Sequence, residues 1–87
     1  MTNMTQAALN EIHELTDANY HTMALCRLAK ALGEEFLVDQ LNILDFQHRE
    51  AGSMTEEIAQ KRRDYSSWLM GKAAEVVDNF ADIEAAF

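Results

Sequence analysis

The sequence predicts an all-α fold, because its 87 residues contain no proline and only three glycines, and good helix formers fill the stretches between them. A β-sandwich or barrel needs a turn signal about every eight to twelve residues, which this composition does not supply. The hydrophobic fraction of 48% indicates a globular chain rather than a disordered one. We expect one helical domain over residues 1–87, either a helical hairpin or a three-helix bundle with a long C-terminal helix.

The first predicted helix covers about residues 4–32. Asn3 and Gln6 have the spacing of a capping box, and no strong helix breaker follows before Leu32. Apolar residues recur every three or four positions and form a wider face in the C-terminal half, which is typical of a helix that contacts two neighbours. The main row consists of Ala8, Ile12, Leu15, Met23 (or Thr22), Cys26 and Ala29, with about two helical turns between Leu15 and Met23.

The second predicted helix covers about residues 35–49. We favour an interruption at Gly33, which follows a good C-terminal turn and suits the left-handed conformation that ends many helices. The alternative is one continuous helix that Gly33 weakens by about 1 kcal/mol. We expect the second helix to be heavily buried through two adjacent apolar rows, formed by Leu37, Leu41 and Leu44 and by Phe36 and Ile43.

The third predicted helix covers about residues 54–85 and spans about 48 Å at 1.5 Å per residue. Gly52 precedes it, and Ser53 with Glu56 forms a second capping-box spacing. Apolar positions along this helix follow steps of three and four residues, as in a coiled coil. The residues expected to form this core or dimer seam are Ile58, Leu69, Val76, Phe80 and Ile83.

Unequal helix lengths predict self-association. The third helix is longer than the other two, so a lone bundle would leave its end uncovered, with Phe80, Ile83 and Phe87 exposed to water. Soluble monomers usually avoid an apolar patch of that size. We therefore expect a two-fold homodimer that forms a larger bundle.

Charge and cysteine content indicate a cytoplasmic location. Residues 1–26 contain no Lys or Arg, so the basic start of a signal peptide is missing, and the longest apolar run is too short to cross a bilayer. We accordingly expect no membrane interaction. Cys26, the only cysteine, lies among apolar residues and is interpreted as an inert core thiol rather than part of a disulfide framework.

The segment 28–33 resembles the centre of a helix-turn-helix motif. Ala29 and Gly33 have the spacing of the packing alanine and the turn glycine of that motif. The resemblance implies a DNA-reading helix next, but residues 34–41 are acidic and apolar rather than rich in cations and amides. Each carboxylate would oppose the counterion release that drives DNA binding. We therefore expect no direct nucleic-acid binding.

Metal and catalytic motifs are weak. His13, Asp17 and His21 recur every four residues, and Asp45 and His48 form a second pair, which leaves a small metal-binding bundle as one alternative. No Glu-x-x-His sequence occurs, so we predict neither a metal nor a cofactor. The sequence also lacks a phosphate-binding loop and a nucleophile elbow, so we do not expect an enzyme.

Protein binding is the leading functional hypothesis. Arg62, Tyr65 and Trp68 follow one another at three-residue steps beside Lys61, and Arg, Tyr and Trp dominate binding hot spots. We expect a non-enzymatic protein that binds and modulates or inhibits another protein through these residues. In general character the chain is similar to the small acidic helical proteins that phages and mobile elements encode to block a host protein. The net charge of −8 leaves a DNA mimic that antagonises a nucleic-acid-binding protein as an alternative.

Overall fold

The computed structural model describes residues 3–87, and the all-α prediction is confirmed for that part of the chain. α2 contacts α1, α3 and α4 and is therefore the central helix of a body measuring 38 × 23 × 17 Å. No helix among the described residues has the length and apolar character needed to cross a membrane. The helices are, in order, α1 (Gln6–Asp17), α2 (His21–Ala31), α3 (Glu35–Ala51), α4 (Glu56–Val76) and α5 (Phe80–Glu84).

The prediction of one helix over residues 4–32 is wrong, because the chain turns at Asn19. Asn19 has φ 64°, the left-handed conformation that asparagine tolerates better than most residues. The N–H of Tyr20 then donates to the carbonyl of Leu15 at 2.8 Å, which closes the end of α1. α2 begins two residues after Asn19 and packs against α1.

The predicted interruption at Gly33 is confirmed. Gly33 has φ 75°, and the N–H of Glu34 donates to the carbonyl of Ala29 at 2.9 Å. The turn therefore uses the same hydrogen-bond pattern as the turn at Asn19. It separates α2 from α3 and lets the two helices pack against each other.

Threonines begin α1 and α4, whereas the sequence patterns predicted caps at Asn3 and Ser53. The Oγ1 of Thr5 accepts from the N–H of Ala8 at 3.2 Å, and the Oγ1 of Thr55 accepts from the N–H of Ile58 at the same distance. Both helices therefore start two residues later than the capping-box spacing indicated. Gly52, in the left-handed conformation with φ 73°, ends α3 just before the second cap.

The prediction of one helix over residues 54–85 is also wrong. α4 ends at Val76, and Val77 adopts an extended conformation with φ −112° and ψ 126°. Asp78 and Asn79 follow, and both residue types favour turns over helix interiors because their side chains compete for backbone hydrogen bonds. The chain resumes as the five-residue helix α5.

Asn79 connects this break to the start of the described chain. The N–H of Met4 donates to the Oδ1 of Asn79 at 2.9 Å, and the Nδ2 of Asn79 donates to the carbonyl of Met4 at 3.2 Å. One side-chain amide thereby satisfies both backbone groups of a residue 75 positions away. The Met4 side chain is buried in the core.

Within the described part of the chain, the core is one cluster of buried residues to which helices α1 to α5 all contribute. Of the predicted seam residues, Ile58, Leu69 and Ile83 are buried, and Val76 and Phe80 are partly buried against the cluster. These contacts lie within one chain. The largest fully buried side chains are Ile12, Leu28, Leu41, Leu44, Leu69 and Ile83.

The reason for expecting a dimer at the end of the third predicted helix does not hold. Because α5 turns onto the core, Ile83 is fully buried and Phe80 is partly covered, while Phe87 remains 42% exposed. The single chain thus covers most of the apolar surface that was expected to need a second subunit. Dimerisation stays a prediction without this support.

Replacing Gly33 with alanine should destabilise the protein by about 1–2 kcal/mol, because a β-carbon disfavours the left-handed conformation. Replacing Gly71 with alanine should instead stabilise the protein by up to about 1 kcal/mol, because Gly71 lies within α4. Within residues 3–87, apart from adjacent residues and the backbone of the same helix, no heavy atom lies within 4 Å of a β-carbon added at either site, so the two variants differ in backbone conformation rather than packing. Urea denaturation measures the free energy of unfolding of each variant. A change of the same sign in both variants would contradict the assigned role of the left-handed conformation at Gly33.

Asn79→Ala should lower the free energy of unfolding by about 1–3 kcal/mol, because it removes both hydrogen bonds to Met4. Asn10→Ala is the matched control, since Asn10 makes an exposed hydrogen bond with Gln6 one helical turn away. That control should cost little, because alanine is a better helix former. Urea denaturation compares the free energies of unfolding of the two variants. An equal decrease in both would show that the hydrogen bonds to Met4 add no more stability than the exposed hydrogen bond of Asn10.

Candidate functional site

α3 exposes large apolar side chains on its outward side. Phe36 is 73% exposed, Ile43 50% and Phe46 62%. Phe36 and Ile43 are seven residues apart, which places them two turns apart on the same side of the helix, and Phe46 follows one turn later. The expectation that Phe36 and Ile43 are buried is therefore wrong.

A groove between α3 and α4 begins at Phe36. Its volume is about 360 Å³. α4 follows α3 after a short turn and runs back along it, so the start of α3 lies beside the middle of α4. The residues that line this α3–α4 groove are Glu34, Phe36, Leu37, Asp64, Tyr65 and Trp68.

Buried neighbours determine which side chains reach the groove. Leu69 is fully buried in α4, so the preceding residue, Trp68, points about 100° away from the core and is 51% exposed. Tyr65, one turn before Leu69, is partly buried against the core. On α3, Leu41 and Leu44 occupy the core, and this leaves Phe36 on the outward side.

Two carboxylates line the groove, and two more lie beside Phe36 in the sequence of α3. Glu34 and Asp64 line it, and Glu35 and Asp39 are neighbours of Phe36 on α3. Within residues 3–87 none of these four carboxylates has a cationic group within 4 Å. The ion pairs of that range are Arg27–Glu11, Arg49–Asp45, Lys61–Glu57 and Arg63–Glu56.

The structure brings together two of the four predicted partner-binding residues. Tyr65 and Trp68 line the α3–α4 groove. Arg62 lines a separate recess of about 240 Å³. Lys61 is paired with Glu57 at 3.6 Å and lines neither. The other residues around the Arg62 recess are His21, Leu25, Arg63, Ser66 and Phe87.

Sequence reasoning missed Phe36 as a functional candidate. On a helical wheel, Phe36, Ile43 and Phe46 lie about 100° or more from the centre of the row formed by the three leucines of α3. Two apolar rows separated by such an angle do not face the same neighbour. That angle is a sequence signal that one of the two rows faces away from the core.

The candidate metal ligands do not form one cluster. The turn at Asn19 separates His13 and Asp17 in α1 from His21, which begins α2. Asp45 is paired with Arg49 at 3.0 Å. Among the described residues, no group of three or more His, Cys, Asp or Glu side chains has an arrangement suited to a metal ion.

Cys26 lies partly buried between α2 and α3. Its Sγ is 3.6 Å from the Oδ1 of Asn42 and 3.8 Å from the carbonyl oxygen of Val38. Burial raises the pKa of this thiol above its usual value, and the nearby carboxylate of Asp45 raises the pKa further. Since the thiolate is the nucleophile, this environment suppresses the reactivity of Cys26.

Alkylation of Cys26 by iodoacetamide at pH 8 should be slower in the folded protein than in urea, because the raised pKa leaves less thiolate. Asp45→Asn should accelerate the reaction, since it removes a negative charge that raises the pKa. Asp39→Asn is the control, because Asp39 contributes less to that pKa than Asp45 does. Mass spectrometry follows the modification, and equal rates in the folded and unfolded protein would contradict the expectation.

Comparison with known proteins adds no relative. No family model, curated protein or solved structure gave a significant match to the chain.

Proposed function

We propose that this protein is a non-enzymatic interaction protein, and that it binds and modulates another protein through the α3–α4 groove. The observation that supports this proposal is the exposure of Phe36 and Trp68 on either side of a groove of about 360 Å³. Aromatic residues are the side chains most enriched in binding hot spots.

Covering the aromatic residues would supply much of the binding free energy. Trp68 exposes about half of its surface, on the order of 100 Å². At about 25 cal/mol per Å², covering that area contributes about 2–3 kcal/mol before the entropic costs of association. Phe36 is more exposed still, so its burial contributes a similar amount.

The groove also offers a shape that partners use. A furrow between two packed helices accepts an amphipathic segment whose apolar side chains enter it. Phe36, Ile43 and Phe46 extend the apolar surface along the outward side of α3. In this proposal the protein modulates its partner by covering part of the partner's surface, which requires no catalytic group.

Phe36→Ala and Trp68→Ala should each weaken partner binding at least about tenfold, or about 1.4 kcal/mol, because each removes a central apolar contact. The matched control is Tyr20→Ala, since Tyr20 is 57% exposed and lies outside the groove. Affinity purification from extracts of cells that express the protein, followed by quantitative mass spectrometry, compares the three variants with the wild type.

A genuine partner is a protein recovered with the wild type and Tyr20→Ala but depleted with both groove variants. Circular dichroism verifies that all variants remain helical. Recovery of the same proteins in equal amounts by all four chains would contradict a role for the groove.

A further inference from the structure

The charge around the α3–α4 groove indicates what kind of segment it takes. Glu34 and Asp64 line the groove, Glu35 and Asp39 lie next to Phe36, and within residues 3–87 none of them is paired with a cation. We infer that the groove binds a basic amphipathic helix of a partner protein. This inference rests on the proposed function and names the chemistry of the partner.

The apolar surface matches the repeat of a helix. Phe36 and Ile43 are separated by about 10.5 Å along α3, at 1.5 Å per residue. Apolar side chains at positions i, i+4 and i+7 of a docked helix span the same two turns. A helical segment laid along α3 therefore contacts Phe36 and Ile43 with one face, while Trp68 covers its side.

Cations flanking that apolar face meet the carboxylates. Glu34, at the start of α3, and Asp64, on α4, lie on the two helices that form the groove. Asp64 accepts a hydrogen bond from the Nε2 of Gln60 at 2.9 Å, which leaves its second oxygen for a partner. Lysine or arginine residues beside the apolar face of a docked helix therefore gain favourable interactions on both sides.

The basic residues near the groove do not belong to its lining. Lys61 is paired with Glu57, and Arg63 is paired with Glu56. Lys72 lies one turn beyond Trp68 and lines a neighbouring recess outside the groove. Arg62 lines the separate recess beside Phe87. Among the residues that line the groove itself, the charged ones are Glu34 and Asp64.

A second copy of this chain is a poor occupant. The net charge is −8, and a two-fold interface through this surface would place the same carboxylates near their symmetry mates. Like charges opposed across an interface disfavour association. A basic helix instead gains from the same carboxylates.

Three synthetic 18-residue peptides without tryptophan test this inference with the full chain. The first has leucines on one helical face and lysines elsewhere, the second replaces every lysine with glutamate, and the third scrambles the first so that it has no apolar face. Trp68 is the only tryptophan of the protein, so its emission reports occupation of the groove directly. Anisotropy of labelled peptides gives the affinities.

We expect the lysine peptide to bind at least tenfold more tightly than the other two and to shift the Trp68 emission to shorter wavelength. The double variant Glu34→Gln/Asp64→Asn should weaken that binding at least tenfold. The matched control is Glu14→Gln/Asp17→Asn, which removes the same charge from exposed positions of α1 and should change the affinity less than twofold. Phe36→Ala should weaken the binding as well.

Three outcomes would overturn the inference. One is equal binding of the lysine and glutamate peptides. Another is an equal loss of affinity in the two double variants, which would indicate attraction by net charge alone. The third is light scattering that shows a dimer which Phe36→Ala dissociates, because a second copy would then occupy the groove.

The same variants separate this inference from the proposed function. If binding of a natural partner requires Phe36 and Trp68 but not Glu34 and Asp64, the groove binds a protein, and the inference that this protein supplies a basic helix is wrong. If binding depends on none of these residues, both proposals fail.

Discussion

Left-handed backbone conformations at Asn19, Gly33 and Gly52 end three successive helices, and the rest of the structure depends on these stops. A continuous helix over residues 4–32 would be about 43 Å long at 1.5 Å per residue, whereas the longest dimension of the molecule is 38 Å. Shorter helices fold back and cover one another's apolar faces. α2 can therefore pack against three neighbours, and α3 and α4 come together to form the groove.

The sequence predicted the parts of the fold that depend on composition and on glycine. The helical class follows from the absence of proline, and the turn at Gly33 follows from the ease with which glycine adopts a positive φ. The turn at Asn19 was missed because asparagine also occurs inside helices, so its residue type does not distinguish the two situations. The break after Val76 was missed because Asp78 and Asn79, although both favour turns, also occur within helices. The hydrogen bonds that hold Asn79 reach Met4, and no local pattern reports a contact over that distance.

The candidate site was predictable only in part, because it also depends on contacts between residues that are distant in the sequence. Trp68 and Tyr65 stand out by residue type, since Trp and Tyr are enriched in binding hot spots. Phe36 was assigned to the interior because an apolar row does not state which neighbour will cover it. In the folded protein Leu41 and Leu44 pack in the core, and this packing leaves Phe36 exposed. Glu34 and Asp64 line the same groove because α3 and α4 pack antiparallel, and residue spacing does not reveal that packing.

Because Met4 and Asn79 are 75 residues apart, the ribosome synthesises Met4 well before Asn79. At about 5–20 residues per second, the side-chain amide of Asn79 is synthesised on the order of 4–15 s after Met4, the residue to which it hydrogen-bonds. Helices α1 to α3 are synthesised during that interval, and helix formation itself takes microseconds or less. Closing the segment before α1 onto the junction of α4 and α5 is therefore a late event in the biosynthesis of this protein.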